Sequence, residues 1–269
     1  MDYSSKYPMM KVEKSANGIT VVKFNNPEEL NAFSGTMHRQ VEDIFVDLAD
    51  DPEVNIIILT GEGKAFSAGG NVKAMAERAG TQEAWKHTSG IFYSAKRIIE
   101  NILNCPKPTI AAVNGAAMGL GASVALACDV QVISETASFA DTHVRVGLVA
   151  GDGGTVIWPL LIGPNRAKDF LMRGKIIKGA EAERIGLVNY CAPPDQVMAK
   201  AMEIANDMNS LPPLAVRWTK VSVNKMMKQQ FNLIMDAAIA YEMLSMVSND
   251  HKAAAQSFVD KQKPVYKGF

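Results

Sequence analysis

Cysteine is scarce in this sequence, and neither a surplus of one charge nor an apolar run near Met1 is found in it. Its 269 residues hold three cysteines, Cys105, Cys128 and Cys191. The number is odd and the spacing has no C-x-x-C pair, which argues against a disulfide framework and a zinc site and for reduced thiols in a cytoplasmic setting. No metal is expected. Twenty-eight Lys and Arg balance twenty-eight Asp and Glu. A net charge of zero argues against a general nucleic-acid binder, while a local basic patch could still hold one anionic ligand. The opening Met1–Lys14 has no apolar h-region, so no signal peptide is expected. One uncharged run, Pro108 to Cys128, is long enough to cross a bilayer. Asn114-Gly115, Gly119 and Gly121 interrupt it and alanine dominates its second half, so it reads as a strand, a tight turn and a buried helix, with no membrane partner.

What is present is an ordinary globular composition, 48% hydrophobic and 21% charged, which excludes disorder and suits one large domain or a domain with an appendage. Val12 to Phe24 reads as a hairpin around Asn17-Gly18. Phe33 to Leu48 has helical spacing, with Met37, Val41, Phe45 and Leu48 on one side. Asn55–Thr60, Thr109–Val113 and Val130–Ile133 are short apolar runs suited to strands buried on both faces, and a helix is expected from His87 to Leu103. Strands separated by helices indicate an α/β chain of repeating units over residues 1–195. Residues 196–269 read as helical throughout, in segments Gln196–Asn209, Leu214–Lys228, Phe231–Val247 and Asp250–Lys261, with Pro212-Pro213 breaking the first two apart. Met226, Met227, Met235, Met243 and Met246 make this region apolar enough either to pack on its own core or to assemble subunits.

Three glycine-bearing turns stand out: Phe66-Ser67-Ala68-Gly69-Gly70-Asn71, Asn114 to Gly121, and Gly151-Asp152-Gly153-Gly154. None has the Gly-Lys-Ser/Thr ending of a phosphate loop, and Gly119-Leu120-Gly121 lacks the third glycine of a dinucleotide fingerprint. A helix entered through glycines exposes backbone N–H groups that can stabilise an oxyanion. The same glycines would also serve a plain strand-to-helix turn, and spacing alone does not separate the two.

Taken in order, several pieces resemble the crotonase (enoyl-CoA hydratase/isomerase) superfamily over nearly the whole chain. They are Asn26-Pro27 with Leu30-Asn31-Ala32-Phe33, Ile57 to Gly61, Phe66 to Asn71, Pro106 to Gly115, Ala127-Cys128-Asp129, Gly186-Leu187-Val188, and the closing Ala255 to Pro264. The resemblance implies an α/β spiral of ββα units followed by C-terminal helices that assemble trimers, often paired into hexamers. It implies an acyl-CoA thioester or related carbonyl substrate, with coenzyme A belonging to the substrate and no separate cofactor. By motif, the two N–H donors of an oxyanion hole fall on Gly70 and Leu120, and Phe66 and Ala68 fall beside the substrate. Lys64 and Lys261 are the candidate partners of the coenzyme A phosphates.

A typical hydratase of this family uses two glutamates, and here the matching positions are Ser123 and His143. What stands in their place is His143 with Asp152 nine residues on. The chain has four histidines, His38, His87, His143 and His251. A carboxylate on one imidazole nitrogen fixes the tautomer and leaves the other free as a general base near neutral pH. His143, Gly151-Asp152-Gly153 and Val156-Ile157-Trp158 resemble the β-diketone hydrolase branch, which cleaves a C–C bond of a 1,3-dicarbonyl, and Glu242 matches a glutamate of that branch. A further histidine of the branch has no counterpart, since Leu120 stands there. Other roles stay open: Asp152 suits a helix N-cap, Ser123 a small helix residue or a donor to substrate, and Tyr241 and Glu242 a packing face. The family reading is an enolate-stabilising enzyme; the alternatives are a C–C hydrolase and a non-catalytic acyl-CoA-binding protein.

Overall fold

The computed structural model describes residues 2–79 and 81–269, with side chains described except at 82–85, 87–89, 91 and 92; His87 is among these. A short α1 (Tyr3–Lys6) leads into the expected hairpin. Its strands β1 (Met10–Lys14) and β2 (Ile19–Phe24) pair antiparallel with Val12 opposite Val22, and Gly18 takes the left-handed turn conformation. Helix α2 (Gly35–Asp50) is capped by Ser34, whose hydroxyl accepts the Met37 amide, and it buries Met37, Val41, Ile44, Phe45 and Leu48 along one stripe. The i, i+4, i+7 spacing of those residues is what turns a single helical face to the core.

Three units of like form follow. The first has β3 (Ile56–Gly61), β4 (Ala65–Ser67), α3 (Val72–Arg78) and α4 (Gln82–Asn104). The second has β5 (Thr109–Val113), β6 (Ala116–Met118) and α5 (Leu120–Ala127). The third has β7 (Val130–Ser134), β8 (Ser138–Ala140), α6 (Gly154–Ile162) and α7 (Pro164–Arg173). Then come β9 (Ile177–Lys178), α8 (Gly179–Arg184) and β10 (Tyr190–Ala192). The first strand of each unit joins a six-stranded sheet, ordered β1-β2-β3-β5-β7-β10, and the second joins a four-stranded sheet, ordered β4-β6-β8-β9. This is the expected spiral of ββα units. Strands β3 and β5 are buried at every residue, as parallel strands covered on both faces must be. The short strands β4, β6, β8 and β10 do not figure among the expected ones, because runs of three residues carry no readable periodicity.

Three helices close the chain: α9 (Val197–Asn209), α10 (Pro213–Met246) and α11 (Asn249–Asp260). The break at Pro212-Pro213 is where the sequence puts it, with Pro213 at the first position of α10, where a missing N–H costs nothing. The expected separation of Leu214–Lys228 from Phe231–Val247 is corrected: both belong to one helix of 34 residues. No glycine or proline falls between them, so nothing stops the helix. It buries Phe231, Met235, Ala238, Ile239 and Glu242 and packs against α4 and α6. Trp218, Met226, Leu233, Tyr241 and Leu244 on the same helix are exposed. Among the described residues no helix is long and apolar enough to cross a membrane.

The first half of α10 is fastened to the sheet by a buried cation. Lys220 Nζ lies 2.7 Å from Asp129 Oδ2 and donates to the Lys107 carbonyl at 2.8 Å. Removing one member of such a pair leaves the other uncompensated. Lys220→Met is expected to lower stability by about 3 kcal/mol, read as an earlier urea midpoint at unchanged slope. An unmoved midpoint would mean that α10 is held by its apolar stripe alone.

Candidate active site

Strands β4, β6 and β8 run parallel to one another, so the segments leaving their C-terminal ends emerge side by side. From β4 comes Ala68-Gly69-Gly70-Asn71, tied to the start of α2 by the Phe33 amide donating to Gly69 O at 2.8 Å. From β6 comes Gly119, followed directly by Leu120 as the first residue of α5. From β8 come Asp141 and Thr142, then a single 3₁₀ turn over His143–Val146. All three segments line one cavity of about 530 Å³. Gly119 sits at φ +51°, and a Cβ there would stand 3.3 Å from His143 Cε1. The left-handed backbone calls for glycine here, and the imidazole packs closely against the turn.

Gly70, Leu120, Ala68, His143, Asp152 and Glu242 are all cavity-lining. Among the described residues, the amides of Gly70 and Leu120 donate no hydrogen bond within the chain. For Leu120 the reason is positional, since the first residue of a helix has no intrahelical acceptor. Two unpaired amides facing one cavity are what a developing oxyanion requires.

His143 is buried between two carboxylates. Its Nδ1 lies 2.7 Å from Asp141 Oδ1 and its Nε2 lies 3.1 Å from Asp152 Oδ2. The expectation that Asp152 fixes the tautomer and leaves the second nitrogen free is therefore corrected. Asp141 holds Nδ1, and Nε2 faces Asp152. Burial opposes a charge on the ring, but the Asp152 and Asp141 carboxylates outweigh it and hold the imidazole well above its ordinary range. The ring is held as an imidazolium, hydrogen-bonded through Nδ1 to Asp141 and ion-paired through Nε2 with Asp152. Asp141 also accepts the His143 backbone amide at 3.2 Å, an Asx-type bond across two residues. The Asp-x-His spacing is the one signal in the sequence that could have revealed this residue. Its carboxylate lies against Gly154, where any Cβ would overlap Asp141 Oδ2.

Asp152 accepts the Ser123 hydroxyl at 3.0 Å. Ser123 is fully buried and lies outside the cavity lining, so it anchors Asp152 and does not face a ligand. Nor is Asp152 a helix cap: Gly153 occupies that position in α6. Glu242 arrives from α10, buried beside Gly151. Burial pushes its carboxyl up to about 8 against the pull of the His143 charge, with Asp152 and Asp141 adding to the rise. Its Oε2 has no hydrogen-bond partner among the described residues. Near neutral pH Glu242 is a neutral acid.

The structure does not bring every expected residue to the cavity. Phe66 is fully buried in the core, edge-on to Phe24 at 5.3 Å, which makes it a packing residue. Lys64 and Lys261 are exposed and outside the lining. The cations that do line it are Arg39, Arg78, Lys86 and Arg97, the last paired with buried Glu42 at 2.5 Å. Asp141, His143 and Asp152 each offer a ligand atom within 4.8 Å of the others. With one carboxylate on each ring nitrogen, however, the imidazole separates the two acids, an arrangement that suits a held proton better than a shared cation.

A ββα spiral whose cavity joins unpaired amides to a buried acid–base cluster defines a class of carbonyl-binding enzymes. Residues 14–268 match the enoyl-CoA hydratase/isomerase family, and the chain belongs to it. It is 35% identical over 250 residues to the short-chain-enoyl-CoA hydratase of Clostridium acetobutylicum, covering 91% of this chain and 92% of that protein. An enoyl-CoA hydratase/isomerase from Mycobacterium paratuberculosis superposes with a TM-score of 0.86 at 32% identity, covering 93% of this chain and 98% of the other. A β-diketone hydrolase from Anabaena sp. PCC 7120, bound to (S)-3-oxocyclohexyl acetic acid, superposes with a TM-score of 0.82 at 28% identity, covering 92% and 97%.

Because the folded pKa of His143 lies above the unfolded value of about 6.5, its ion pairs stabilise the fold fully below that pH. The contribution is lost as pH rises through the folded value. Histidine NMR is expected to find the His143 ring still protonated at pH 7. In Asp141→Asn the midpoint should fall by about 1–3 pH units, the effect of one adjacent charge. A wild-type ring that titrates near 6.5 would contradict the paired geometry.

Proposed function

We propose that this enzyme takes an acyl-CoA thioester or a related carbonyl compound, holds the carbonyl oxygen on the Gly70 and Leu120 amides, and stabilises the enolate that forms when a neighbouring bond is made or broken. The observation that carries the reading is the shared cavity, in which two unpaired amides meet a buried cluster of one imidazolium and three carboxyl groups. Negative charge developing on the oxygen is met by fixed N–H dipoles that need no reorganisation. Proton transfer falls to Glu242, a neutral acid, and to Asp152, a carboxylate steadied by His143 and Ser123. A buried carboxyl that keeps its proton beside an ion-paired carboxylate is an arrangement suited to an acid and a base. In this reading the glutamates of a typical family hydratase are replaced at 123 and 143, so addition of water to a short enoyl-CoA is slow. The phosphates of coenzyme A meet the cations of the cavity wall, Arg39, Arg78 and Lys86.

A second reading is favoured by the carboxylate-flanked histidine and by the likeness to the Anabaena hydrolase. Here water adds to one carbonyl carbon of a 1,3-dicarbonyl, giving its proton to Asp152. The bond between that carbon and the central carbon breaks, and the electron pair passes into an enolate held by Gly70 and Leu120. The Glu242 proton completes the central carbon. One dicarbonyl and one water give one carboxylic acid and one ketone. In both readings the exposed apolar face of α10 is covered by further copies of the chain in a trimer or hexamer, which light scattering would detect; a stable monomer at micromolar concentration would contradict that assembly.

Side-by-side panels of CoA thioesters and cyclic 1,3-diketones are expected to separate the two readings. On whichever substrate is turned over, Asp152→Asn should lose about 10²–10⁴-fold in kcat, the range for an acid–base group, and His143→Ala, which takes away the charged partner of Asp152, should lose activity as well. The rate should fall as pH rises past about 8, where Glu242 gives up its proton. Fast hydration of crotonyl-CoA indifferent to His143→Ala would overturn both readings.

A further inference from the structure

The segment that carries His143 and Asp152 is fastened from outside the ββα core. Three successive points of it are held by the C-terminal helices. At Val146, the end of the 3₁₀ turn, the carbonyl lies 2.6 Å from His251 Nδ1 on α11. At Val149 the amide donates to Ser245 Oγ of α10 at 3.1 Å, and that hydroxyl donates in turn to the Glu242 carbonyl at 2.6 Å. At Gly151 the backbone lies against the Glu242 side chain and the Ala238 carbonyl. Between the first two points, Gly147 takes φ +71° and presses on the His251 backbone, so that a Cβ there would stand 2.9 Å from His251 Cα.

His251 is itself firmly placed. It is 4% exposed, and its backbone amide donates to Ser248 Oγ, the cap of α11, at 3.0 Å. The neighbouring Asp250 carboxylate accepts the Lys267 and Gly268 amides at 2.7 and 2.9 Å, which folds the last residues of the chain back over the start of α11. Facing a carbonyl, Nδ1 must carry the proton, and burial keeps the ring below its ordinary pKa, so His251 is neutral.

We infer that His251 is a positioning residue for the catalytic segment: by holding the Val146 carbonyl it closes the turn that sets His143 between Asp141 and Asp152, and Ser245 secures the other side of the same segment. The inference deepens the reading in which Asp152, steadied by His143, takes part in proton transfer. The C-terminal helices then serve the chemistry within one chain, apart from any part they play in assembly. A loosened Val146 lets the imidazole drift from its carboxylates, and contacts of 2.7 and 3.1 Å tolerate little displacement.

The test uses the full chain and three variants: His251→Asn, whose amide nitrogen stands where Nδ1 does, His251→Leu, which has no donor, and Ser245→Ala. The primary readout is the NMR titration of the His143 ring without ligand, which does not depend on knowing the substrate. His251→Leu and Ser245→Ala are expected to lower the His143 midpoint, and His251→Asn to keep it near wild type. With crotonyl-CoA and a cyclic 1,3-diketone as probes, the first two should lower kcat about tenfold or more with KM unchanged, and Asn should restore it. An unchanged His143 midpoint in a folded His251→Leu overturns the inference. So does a loss in His251→Leu that Asn fails to restore. If neither probe is turned over but the titrations follow the pattern, the positioning stands and the proposed reactions fall. Should His251→Leu not fold, Ser245→Ala decides the matter by the same titration.

Discussion

Parallel pairing of three strands, each three residues long, is the constraint on which this site depends. β4, β6 and β8 run in one direction, so the chain leaves each of them at the same edge of the small sheet. Parallel neighbours cannot be joined by a hairpin. The first strand of the next unit and its helix must intervene, and for that reason Gly70, Leu120 and His143 are far apart in sequence and adjacent in space. The six-stranded sheet is the scaffold for this arrangement. Its inner strands are apolar on both faces, and that apolar character carries the burial that sets the small sheet in place.

The cluster built on that edge is expensive by the measure of stability. Ionisable groups taken out of water are tolerated only when paired and hydrogen-bonded. Here the imidazolium serves two carboxylates, Ser123 serves Asp152, and the His143 amide serves Asp141. Among the described residues, Asp141 Oδ2 and Glu242 Oε2 have no hydrogen-bond partner. Glu242 meets that situation by holding its proton, burial having pushed its carboxyl up to about 8.

Helix α10 has three tasks along one length. Its first half is locked to the sheet through Lys220, its buried stripe covers α4 and α6, and its far end brings Glu242 and Ser245 against the segment that holds His143 and Asp152. A single uninterrupted helix is well suited to this, because its rigidity transmits the placement of the anchored half to the far end. The exposed apolar residues lie on other faces of the same cylinder, so they do not compete with the buried stripe for the same side chains.

Much of this was legible in the order of residues alone. The hairpin at Asn17-Gly18, the helix after Ser34, the buried strands and the start of α10 at Pro213 follow from local rules: turn chemistry, a capping hydroxyl, apolar runs and a residue without an amide hydrogen. The glycine turns were visible as turns, while the roles of Gly70 and Leu120 and the pairing of His143 with Asp152 came from the family resemblance, because spacing alone does not tell an oxyanion hole from a tight turn. What local rules do not contain is which side of the imidazole each acid occupies. Asp141 stands two residues from His143 and Asp152 nine, yet both reach the same ring, one through an Asx turn and the other through the start of α6. Phe66 lies in a motif next to the site, but strand alternation turns its ring into the core, and exposed Lys64 and Lys261 lie outside the cavity wall where Arg39, Arg78 and Lys86 stand. Sequence determined which turns, helices and reactive residues the chain possesses, because those depend on neighbours a few positions away. Tertiary structure decided which of them face one another, and with that the charge on His143 and the proton on Glu242, because desolvation and Coulomb interactions depend on distance in space.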